Sequence, residues 1–401
     1  MDEAKLKKYN IAIAGVGVIG SELLNYINNK LDNQENNQVQ KIVTHISTRK
    51  ERNIENLEWV DNPLKLLEID DINLIIELIG GANGIAYELV KNSLKKGKNI
   101  VTANKALIAE HGNELFNIAK DNNCTLFFEA AVGGALPIIK LLNDNLSNNN
   151  IKKISGILNG TCNFILSKME EENYDFDKAL KIAQEKGFAE PDPYLDISAI
   201  DAAHKIAIIS SLAFNTEISF DNVKINSIEN ITSDIIKIAK NQNYSVKLLA
   251  VAINTNNKII QYVRPCFIGK NHNLKNINKA LNSVNIESDP ALMTNIIGHG
   301  AGSKPTTSAL LSDINDAIRN IKHHYNFNNK NIYCNELDIE QRFIAIAKDN
   351  IELESITRKL DELNIIYSIS DYQNNKIIKF KTNNFSDSYN INHQNIFEIH
   401  E

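Results

Sequence analysis

The sequence predicts an α/β chain in which the N-terminal third forms a Rossmann-type doubly wound parallel sheet. The first observation is a short β-branched run, 9–15, that leads directly into a glycine-rich turn and a helix start. The second is a regular alternation of strand-like and helix-like segments over 41–128. Such an alternation is typical of βαβ units with right-handed crossovers. The middle of the chain mixes strands and helices less regularly, which predicts an α+β domain.

Gly15, Gly17 and Gly20 form a GxGxxG motif at the end of the first predicted strand. The first glycine permits a tight turn, the second lets the backbone approach a pyrophosphate, and the third lets helix and strand pack closely. Backbone N–H groups at the helix start, including those of Val18 and Ile19, would face the phosphates. Glycines often serve turns alone, but the strand, turn and helix context favours dinucleotide binding.

The segment after the second strand indicates which dinucleotide is bound. An NAD-specific site usually places an acid there to accept from the ribose 2′-hydroxyl. The chain instead has Ser47, Arg49 and Lys50, which would hold a 2′-phosphate. We therefore predict NADP, with NAD as the alternative, and note that basic loops are also commonly just solvated.

Further strands are predicted at 74–79, 99–102 and 125–128, with helices at 84–96 and 105–121 between them. Ligands bind such sheets beyond the carboxyl ends of the strands. Thr102 and Lys105 stand at one of these ends, so we expect both beside the cofactor. The competing interpretation of Lys105 is a surface lysine that opens a helix, where cations are disfavoured.

Four carboxylates and a lysine lead into an apolar helix in the middle of the chain: Glu190, Asp192, Asp196, Asp201 and Lys205. Asp201 and Lys205 are four residues apart and so share one helix face. The continuation is apolar almost all round, which predicts a buried helix. Burying charged side chains at the start of this helix costs free energy unless they are paired or bind a ligand. The competing interpretation is an ordinary helix start with a routine ion pair.

Composition excludes several classes of protein. The chain has 401 residues and a net charge of -6, which predicts several domains and argues against a nucleic-acid or membrane surface. The four cysteines, Cys124, Cys162, Cys266 and Cys334, form no CxxC, so neither a disulfide framework nor a zinc site is indicated. No apolar run approaches the roughly 20 residues that span a bilayer. We expect a cytoplasmic protein.

Several long motifs together resemble homoserine dehydrogenases. They are ELIGG at 77–81, VTANKALIA at 101–109, EAAVGGALPII at 129–139, GILNGTCNFIL at 156–166, GFAEPDPYLDISAIDAAHK at 187–205 and GHGAGSKPTTSALLSDI at 298–314. The resemblance implies NADPH-dependent reduction of aspartate 4-semialdehyde to homoserine, in threonine and methionine biosynthesis. It also implies a homodimer or homotetramer.

The resemblance also implies roles for individual residues. Lys205 matches the family's general acid/base, Lys105 a second lysine near substrate and nicotinamide, and Gly302 a glycine beside the cofactor. The implied substrate-binding residues are Gly187, Glu190, Asp196 and Asp201. A lysine can move a proton near neutral pH when burial or a second cation lowers its pKa. The acids would bind the ammonium group of the substrate.

A monovalent cation, usually sodium, belongs to the resemblance as well. Its ligands match Glu129, Val132, Gly134 and Leu136, largely through backbone carbonyls. Carbonyl oxygens in a glycine-bearing loop suit a hard cation. The competing interpretation is a loop that gives room to the cofactor.

We predict a dinucleotide-binding domain at 1–135 completed by 300–322, a substrate-binding and dimerisation domain at 136–299, and a tail domain at 335–401. Helices are predicted at 137–146 and 274–281 within the second domain. The tail is predicted to form a strand, a helix and two further strands, in this order. This unit resembles a regulatory ACT domain. The segment 348–351 replaces the Asp-x-Pro-Gly turn of amino-acid-binding copies, so we predict a degenerate or dimer-forming domain without threonine feedback.

Two other functions are compatible with parts of the sequence. An acylating semialdehyde dehydrogenase would use Cys162 as nucleophile, yet the sequence supplies no nearby histidine or electropositive group to activate it. A nucleotide-sensing scaffold would have lost the chemistry, yet both lysines and all the acids are present. No kinase-like segment precedes residue 10, so we expect a monofunctional enzyme.

Overall fold

The structure is a computed structural model that describes residues 7–30, 39–325, 327, 331–334, 338–384, 391 and 395–401. Contacts divide the chain into two units. The first comprises Met1–Asn148, Ala207–Phe220 and Gly298–Asn328, and the second comprises Asn149–Ile206, Asp221–Ile297 and Asn329–Glu401. Among the described residues, no helix combines the length and the apolar character needed to cross a bilayer.

The elements up to residue 148 are β1 (Lys7–Ala14), α1 (Val18–Lys30), β2 (Val39–Ser47), β3 (Glu58–Val60), β4 (Leu74–Glu77), α2 (Ile85–Lys95), β5 (Asn99–Thr102), α3 (Lys105–Asp121), β6 (Leu126–Phe127) and α4 (Ile138–Lys140). Short 3-10 helices occupy Pro63–Glu68 and Glu129–Ala131, and a π-helix occupies Leu141–Asn145.

The later elements are β7 (Asn150–Ile157), α5 (Gly160–Glu172), α6 (Phe176–Glu185), α7 (Tyr194–Ile197), α8 (Ile200–Phe214), β8 (Val223–Ile225), α9 (Ser233–Asn241), β9 (Ser245–Thr255), β10 (Lys258–Ile268), β11 (Leu281–Asp289), β12 (Leu292–His299), α10 (Ser303–Ile318), β13 (Ile332–Tyr333), β14 (Asp338–Ala347), α11 (Asn350–Glu362), β15 (Tyr367–Tyr372), β16 (Asn375–Asn384) and β17 (Ile396–His400). A 3-10 turn lies at Phe220–Asn222.

The first unit contains a six-stranded sheet in the order β3-β2-β1-β4-β5-β6. All of its strand pairs are parallel, and Ile11 of β1 lies opposite both Val43 of β2 and Leu74 of β4. Leu310 and Ile314 of α10 belong to the same buried core as these strands. The predicted doubly wound parallel sheet is confirmed.

Helix α3 shows why local sequence fixed this part of the fold. It begins at Lys105 and ends at Asp121, as predicted. The Asn104 side chain caps it by accepting from the Leu107 N–H at 3.2 Å, which satisfies one of the unpaired donors of the first turn. The start of α3 is therefore fixed directly after β5, where the candidate residues lie.

The helix predicted at 137–146 is wrong in type. Only Ile138–Lys140 is α-helical, and Leu141–Asn145 is a π-helix. The Leu146 N–H donates to the Leu141 carbonyl, five residues back, at 2.8 Å, which defines the wider turn. Apolar spacing alone cannot distinguish an α turn from this one.

The second unit contains a sheet of eleven strands, of which nine form the path β12-β11-β7-β9-β10-β17-β14-β16-β15. Strand β10 is its centre: it pairs antiparallel with β9 and parallel with β8, β13 and β17. Strand β7 pairs antiparallel with both β9 and β11. The strands of the tail and those of the substrate-binding part thus belong to one sheet.

The helix predicted at 274–281 is wrong. Residues 270–280 form turns and bends, and Leu281 begins β11. The main-chain carbonyl of Ile277 accepts from Lys247 Nζ at 2.8 Å and from Asn163 Nδ2 at 3.0 Å. The Ile277 N–H donates to the Leu274 carbonyl, three residues back, at 3.2 Å, so this buried segment forms a turn rather than an α-helix.

The four tail elements predicted from the sequence are confirmed as β14, α11, β15 and β16. Strand β17 was not predicted. It pairs with β14, so the tail strands follow the order β17-β14-β16-β15 within the sheet. At the unusual turn, Asp349 caps α11 by accepting from the Glu352 N–H at 2.8 Å. The assignment of these strands to an ACT-like domain stays a prediction.

Candidate active site

A cavity of about 590 Å³ opens at the carboxyl end of the parallel sheet in the first unit. Its lining comprises Gly15, Val16 and Gly17 after β1, Ser47 to Lys50 and Arg52 after β2, Asp61 and Pro63, Leu78 and Ile79 after β4, and Ile85 of α2. Strands β1 and β4 are neighbours at the point where the strand order reverses. Dinucleotides bind at this switch point in open α/β sheets.

The three glycines of the motif have different surroundings. A Cβ atom at Gly15, whose φ is +100°, would lie 2.4 Å from the Leu78 carbonyl oxygen, and one at Gly20 would lie 2.5 Å from the Gly15 carbonyl oxygen. A Cβ at Gly17 would meet no heavy atom of the described residues within 4 Å. Gly15 and Gly20 are thus required by the fold, and Gly17 leaves space above the start of α1.

Glu77 organises the loops around this cavity, and the sequence reasoning did not identify it. It is fully buried at the end of β4, and its Oε1 accepts from the N–H groups of Ile79 at 2.7 Å and Gly80 at 3.1 Å. Its Oε2 accepts from the Thr102 hydroxyl at 2.6 Å. A lone carboxylate in the apolar strand LIIE was the signal that could have revealed it.

Thr102 and Lys105 follow β5 as predicted. The Thr102 hydroxyl donates to Glu77 and accepts from the Asn104 N–H at 3.0 Å, so this side chain supports the loop. Asn104 Nδ2 donates to the Gly81 carbonyl at 2.7 Å and links the loops after β4 and β5. Lys105 is half-buried as the first residue of α3.

The loop proposed to hold a cation packs against the segment before α10. The Ala135 N–H donates to the His299 carbonyl at 3.0 Å, and a Cβ at Gly134 would lie 2.8 Å from the Gly300 carbonyl carbon. Glu129 is buried, and its carboxylate accepts from the N–H groups of Ile139 at 2.9 Å and Lys140 at 2.8 Å. Burial raises the pKa of Glu129 to about 7.

Lys205 and Asp201 form a buried ion pair in the second unit. Each is 6% exposed, and Lys205 Nζ lies 2.7 Å from Asp201 Oδ2. Lys205 also donates to the Leu158 carbonyl at 2.8 Å, at the end of β7. The predicted placement of both side chains on one face of a buried helix is confirmed, and the ion pair itself is the contact that the competing interpretation also predicts. An ammonium group carries three N–H donors, and the contacts with Asp201 and Leu158 use two of them.

Asp196 joins this pair through Asn159, which the sequence reasoning did not single out. Asn159 Nδ2 donates to Asp196 Oδ1 at 2.7 Å and to Asp201 Oδ2 at 2.9 Å. Burial raises the pKa of Asp196, and the charge of Asp201 raises it further. Asn159 begins the polar loop after β7, and that position after a strand was the signal available in the sequence.

Gly187 and Glu190 lie on an exposed loop after α6. Gln184 Nε2 donates to the Glu190 carbonyl at 3.2 Å and so fixes the backbone of this loop. Glu190 itself is exposed, whereas Asp201 and Lys205 are buried. Phe188, between Gly187 and Glu190, packs against Phe164 with tilted rings whose centroids are 4.7 Å apart.

Cys162 does not have the surroundings of a nucleophile. It is fully buried, and its thiol donates to the Asp196 carbonyl at 3.1 Å. Burial raises the pKa of this thiol well above its ordinary value, and the charges of Asp196 and Asp201 raise it further. Because thiolates and not thiols attack carbonyl carbons, Cys162 is a structural residue.

A second buried polar cluster lies where β17 pairs with β10. Cys266, Glu398 and His400 place possible ligand atoms within 4.8 Å of one another. Arg264 Nε donates to Glu398 Oε2 at 3.0 Å. Although burial raises the pKa of Glu398, Arg264 and His400 together hold it well below its ordinary value. A divalent cation here would lie beside the guanidinium, so we interpret the cluster as an ion-pair network that attaches β17.

Family models match both parts of the chain that carry the candidate residues. Residues 15–129 match the model for the NAD-binding domain of homoserine dehydrogenase. Residues 137–314 match the homoserine dehydrogenase model itself. The two matches include the cofactor cavity and the Asp201–Lys205 pair.

Individual relatives agree with the family models. The homoserine dehydrogenase of Neisseria gonorrhoeae is 40% identical over 319 residues, which are 78% of this chain and 73% of that protein. The Bacillus subtilis homoserine dehydrogenase is 35% identical over 79% of this chain and 74% of its own length.

Solved structures of homoserine dehydrogenases resemble the fold. That of the Thiobacillus denitrificans enzyme has a TM-score of 0.87 at 29% identity, and covers 98% of this chain and 99% of the other. A hyperthermophilic archaeal homoserine dehydrogenase in complex with NADPH has a TM-score of 0.68 at 27% identity, and covers 79% of this chain and 99% of its own. The chain therefore belongs to the homoserine dehydrogenase family.

Proposed function

We propose that the chain reduces L-aspartate 4-semialdehyde to L-homoserine with lysine-assisted proton transfer. The observation that carries this mechanism is the buried Lys205–Asp201 pair, held at 2.7 Å on one face of α8. Reduction of an aldehyde needs a hydride at the carbonyl carbon and a proton at its oxygen. When bound, the nicotinamide cofactor supplies the hydride.

Lys205 supplies the proton in this proposal. Its ammonium group donates to the carbonyl oxygen as that oxygen becomes an alkoxide, which leaves a hydroxyl group and a neutral amine. Asp201 Oδ2 and the Leu158 carbonyl fix the direction of the ammonium through hydrogen bonds of 2.7 and 2.8 Å. Solvent then returns a proton to the amine. For Lys105, at the start of α3 in the first unit, we propose a separate role beside the cofactor.

The cluster of Asp196, Asp201 and Lys205 has one carboxylate more than it has ammonium groups, which favours a substrate with its own ammonium group. Asp196 and Asp201 carry two negative charges against the single positive charge of Lys205, and burial raises the pKa of Asp196. An incoming ammonium would relieve this imbalance. Glu190, on the exposed loop beside Gly187, is placed to attract the same group by electrostatic steering.

Succinate semialdehyde, which lacks the ammonium group, is therefore expected to be a poor substrate. We expect kcat/KM to be lower by roughly 100-fold than with aspartate 4-semialdehyde, because a charge-assisted hydrogen bond contributes about 1.5–3 kcal/mol. Steady-state rates with both aldehydes under the same NADPH concentration measure this ratio. Equal kcat/KM values would contradict the assignment of the acids.

For the cofactor we propose NADPH in preference to NADH. Arg49, Lys50 and Arg52 line the cavity after β2, and no acid follows that strand directly. The free Cβ position of Gly17 supports a pyrophosphate at the start of α1, near Val18, since a backbone cradle without side-chain atoms fits a phosphate.

Replacing Arg49 by alanine is expected to raise the KM for NADPH and to leave the KM for NADH nearly unchanged. The guanidinium would contact only the 2′-phosphate, and the loss of one exposed contact corresponds to a factor of about ten. Initial rates at varied cofactor concentration give both constants. Lys91→Ala, which removes an amine on α2 that pairs with Glu114, is the matched control and should change neither. A parallel rise of both KM values would exclude a 2′-phosphate contact.

We also propose a sodium ion at the carbonyl oxygens of Glu129, Val132, Gly134 and Leu136. The Glu129 and Leu136 carbonyls each accept one backbone hydrogen bond, which leaves a second lone pair on each oxygen. The Glu129 carboxylate is occupied by backbone N–H groups and has a pKa of about 7. A donor set of neutral oxygens suits a monovalent cation better than a divalent one.

The chain is proposed to act as a homodimer or homotetramer with a degenerate ACT-like tail. Exposed apolar side chains of β12, Leu292, Met293 and Ile297, lie on the last strand of the sheet path and support self-association. The turn at 348–351 lacks glycine, and Asp349 is occupied as a helix cap. This arrangement supports a structural rather than an effector-binding tail.

A further inference from the structure

Asn159 is the residue through which the polar groups of the second unit meet. Its Nδ2 atom donates to Asp196 Oδ1 and Asp201 Oδ2, at 2.7 and 2.9 Å. Its Oδ1 atom accepts from the Cys162 N–H at 2.7 Å and thereby caps α5. A backbone N–H can only donate, so the oxygen must face Cys162 and the amide nitrogen must face the two carboxylates. Its orientation follows from the chain itself.

The amide separates two carboxylates that would otherwise repel each other. Both belong to the segment 196–201, and Asp201 Oδ2 is shared between Asn159 and Lys205. Two like charges in a buried site cannot both remain ionised without donors between them. A side-chain amide offers two N–H donors and no charge, so it holds both carboxylates without displacing the ammonium of Lys205.

We propose that Asn159 is a positioning residue, which fixes Asp201 for the orientation of Lys205 and keeps Asp196 ionised to receive the substrate's ammonium group. The inference rests on the proposed function and adds a residue to it that does not touch the reacting atoms. Asn159 is 3% exposed and lies between the end of β7 and the start of α5. Its burial and its three hydrogen bonds define the geometry that such a role requires.

The variant that tests this inference is Asn159→Ser. Serine keeps an oxygen that can cap α5, but it cannot donate to two carboxylates at once. We expect kcat to fall by roughly 10²-fold, because Asp201 is free to move away from its position beside Lys205. The KM for aspartate 4-semialdehyde should rise as well, because a smaller fraction of Asp196 is ionised without the Asn159 donor.

A pH profile separates this role from a merely structural one. Burial and the charge of Asp201 raise the pKa of Asp196, whereas hydrogen bonds from Asn159 and Thr161 lower it. The charged and titratable groups that face Asp196 in the described structure are Cys162 on α5 and Asp201 and Lys205 on α8. Losing the Asn159 donor raises the pKa of Asp196 further, so the acid limb of kcat/KM should move to higher pH.

Two further variants complete the experiment. Asp175→Ser exchanges the exposed cap of helix α6, where Asp175 accepts from the Lys178 N–H at 2.9 Å, and should change neither kcat nor the pH profile. Asn159→Asp keeps both the cap and the size but replaces the donors by a third carboxylate. It should shift the acid limb to higher pH, as Asn159→Ser does, and by a larger amount. This variant replaces Asn159→Ser as the test if the serine variant does not fold.

The outcomes distinguish the inference from the function on which it rests. An inactive wild-type chain in the presence of aspartate 4-semialdehyde and NADPH would contradict the proposed function. An active wild-type chain together with a folded Asn159→Ser or Asn159→Asp variant of unchanged kcat and unchanged acid limb would overturn the role of Asn159 alone. Loss of folding in both variants, with Asp175→Ser intact, would also overturn it, since the donors to the two carboxylates would then be needed for folding itself.

Discussion

Replacing Lys205 by arginine is expected to lower kcat for aspartate 4-semialdehyde reduction by about 10²–10⁴-fold, the usual contribution of general acid catalysis. Arginine keeps the positive charge beside Asp201, so the buried pair survives, but its guanidinium does not give up a proton near neutral pH. Lys205→Met removes the charge as well and should destabilise the fold by roughly 3–5 kcal/mol, because Asp201 stays buried without its partner. Steady-state rates and thermal unfolding together separate the two effects.

Lys247→Met is the matched control for Lys205→Met. Lys247 is fully buried in β9 of the same unit, and its Nζ atom donates to three acceptors: Asn163 Oδ1 at 3.1 Å, the Ile277 carbonyl at 2.8 Å and Asn278 Oδ1 at 2.7 Å. This variant should lower the melting temperature and leave kcat nearly unchanged. A Lys205→Arg enzyme with wild-type kcat would remove Lys205 from the proton transfer.

Gly15→Ala is expected to lower the stability of the fold, whereas Gly17→Ala is expected to weaken NADPH binding. A Cβ at Gly15 would lie 2.4 Å from the Leu78 carbonyl oxygen at a φ of +100°, so the fold itself must shift. We expect a loss of several kcal/mol in the free energy of unfolding, on the order of the strain of a non-glycine residue in this region plus the clash. Thermal unfolding without cofactor measures this loss.

Gly17→Ala should leave stability within about 1 kcal/mol of wild type, the usual effect of an alanine at a helix start. The dissociation constant for NADPH should nevertheless rise by about tenfold or more, because the new methyl group occupies space that a phosphate needs. A fluorescence titration of NADPH into each variant gives the constant. Unchanged NADPH affinity in Gly17→Ala would place the pyrophosphate elsewhere in the cavity.

Most of the nucleotide-binding unit could be predicted because its signals are local. The Asn104 cap and the apolar spacing define α3, and the run 74–77 is continuously buried as a central parallel strand. The failure at 274–281 has a non-local cause. Leu274, Ile277 and Leu281 have helical spacing, but the main chain there is satisfied by Lys247 and Asn163, which lie far away in the sequence.

The candidate site was predictable in its charged residues and not in its supporting ones. Asp201 and Lys205 are four apart on one helix, so their pairing follows from helix geometry. Asn159 meets Asp201 across 42 positions, and Glu77 meets Thr102 across 25, which only the tertiary fold decides. Strand β17 was missed for the same reason, since its place beside β10 depends on a distant partner strand.

Steady-state oxidation of L-homoserine by the purified chain, followed by the absorbance of NADPH, tests the central claim most directly. The account predicts saturable turnover with NADP, a higher kcat/KM for NADP than for NAD, and loss of this turnover in Lys205→Arg. Absence of turnover with homoserine under either cofactor, in a chain that is folded and binds NADPH, would contradict it.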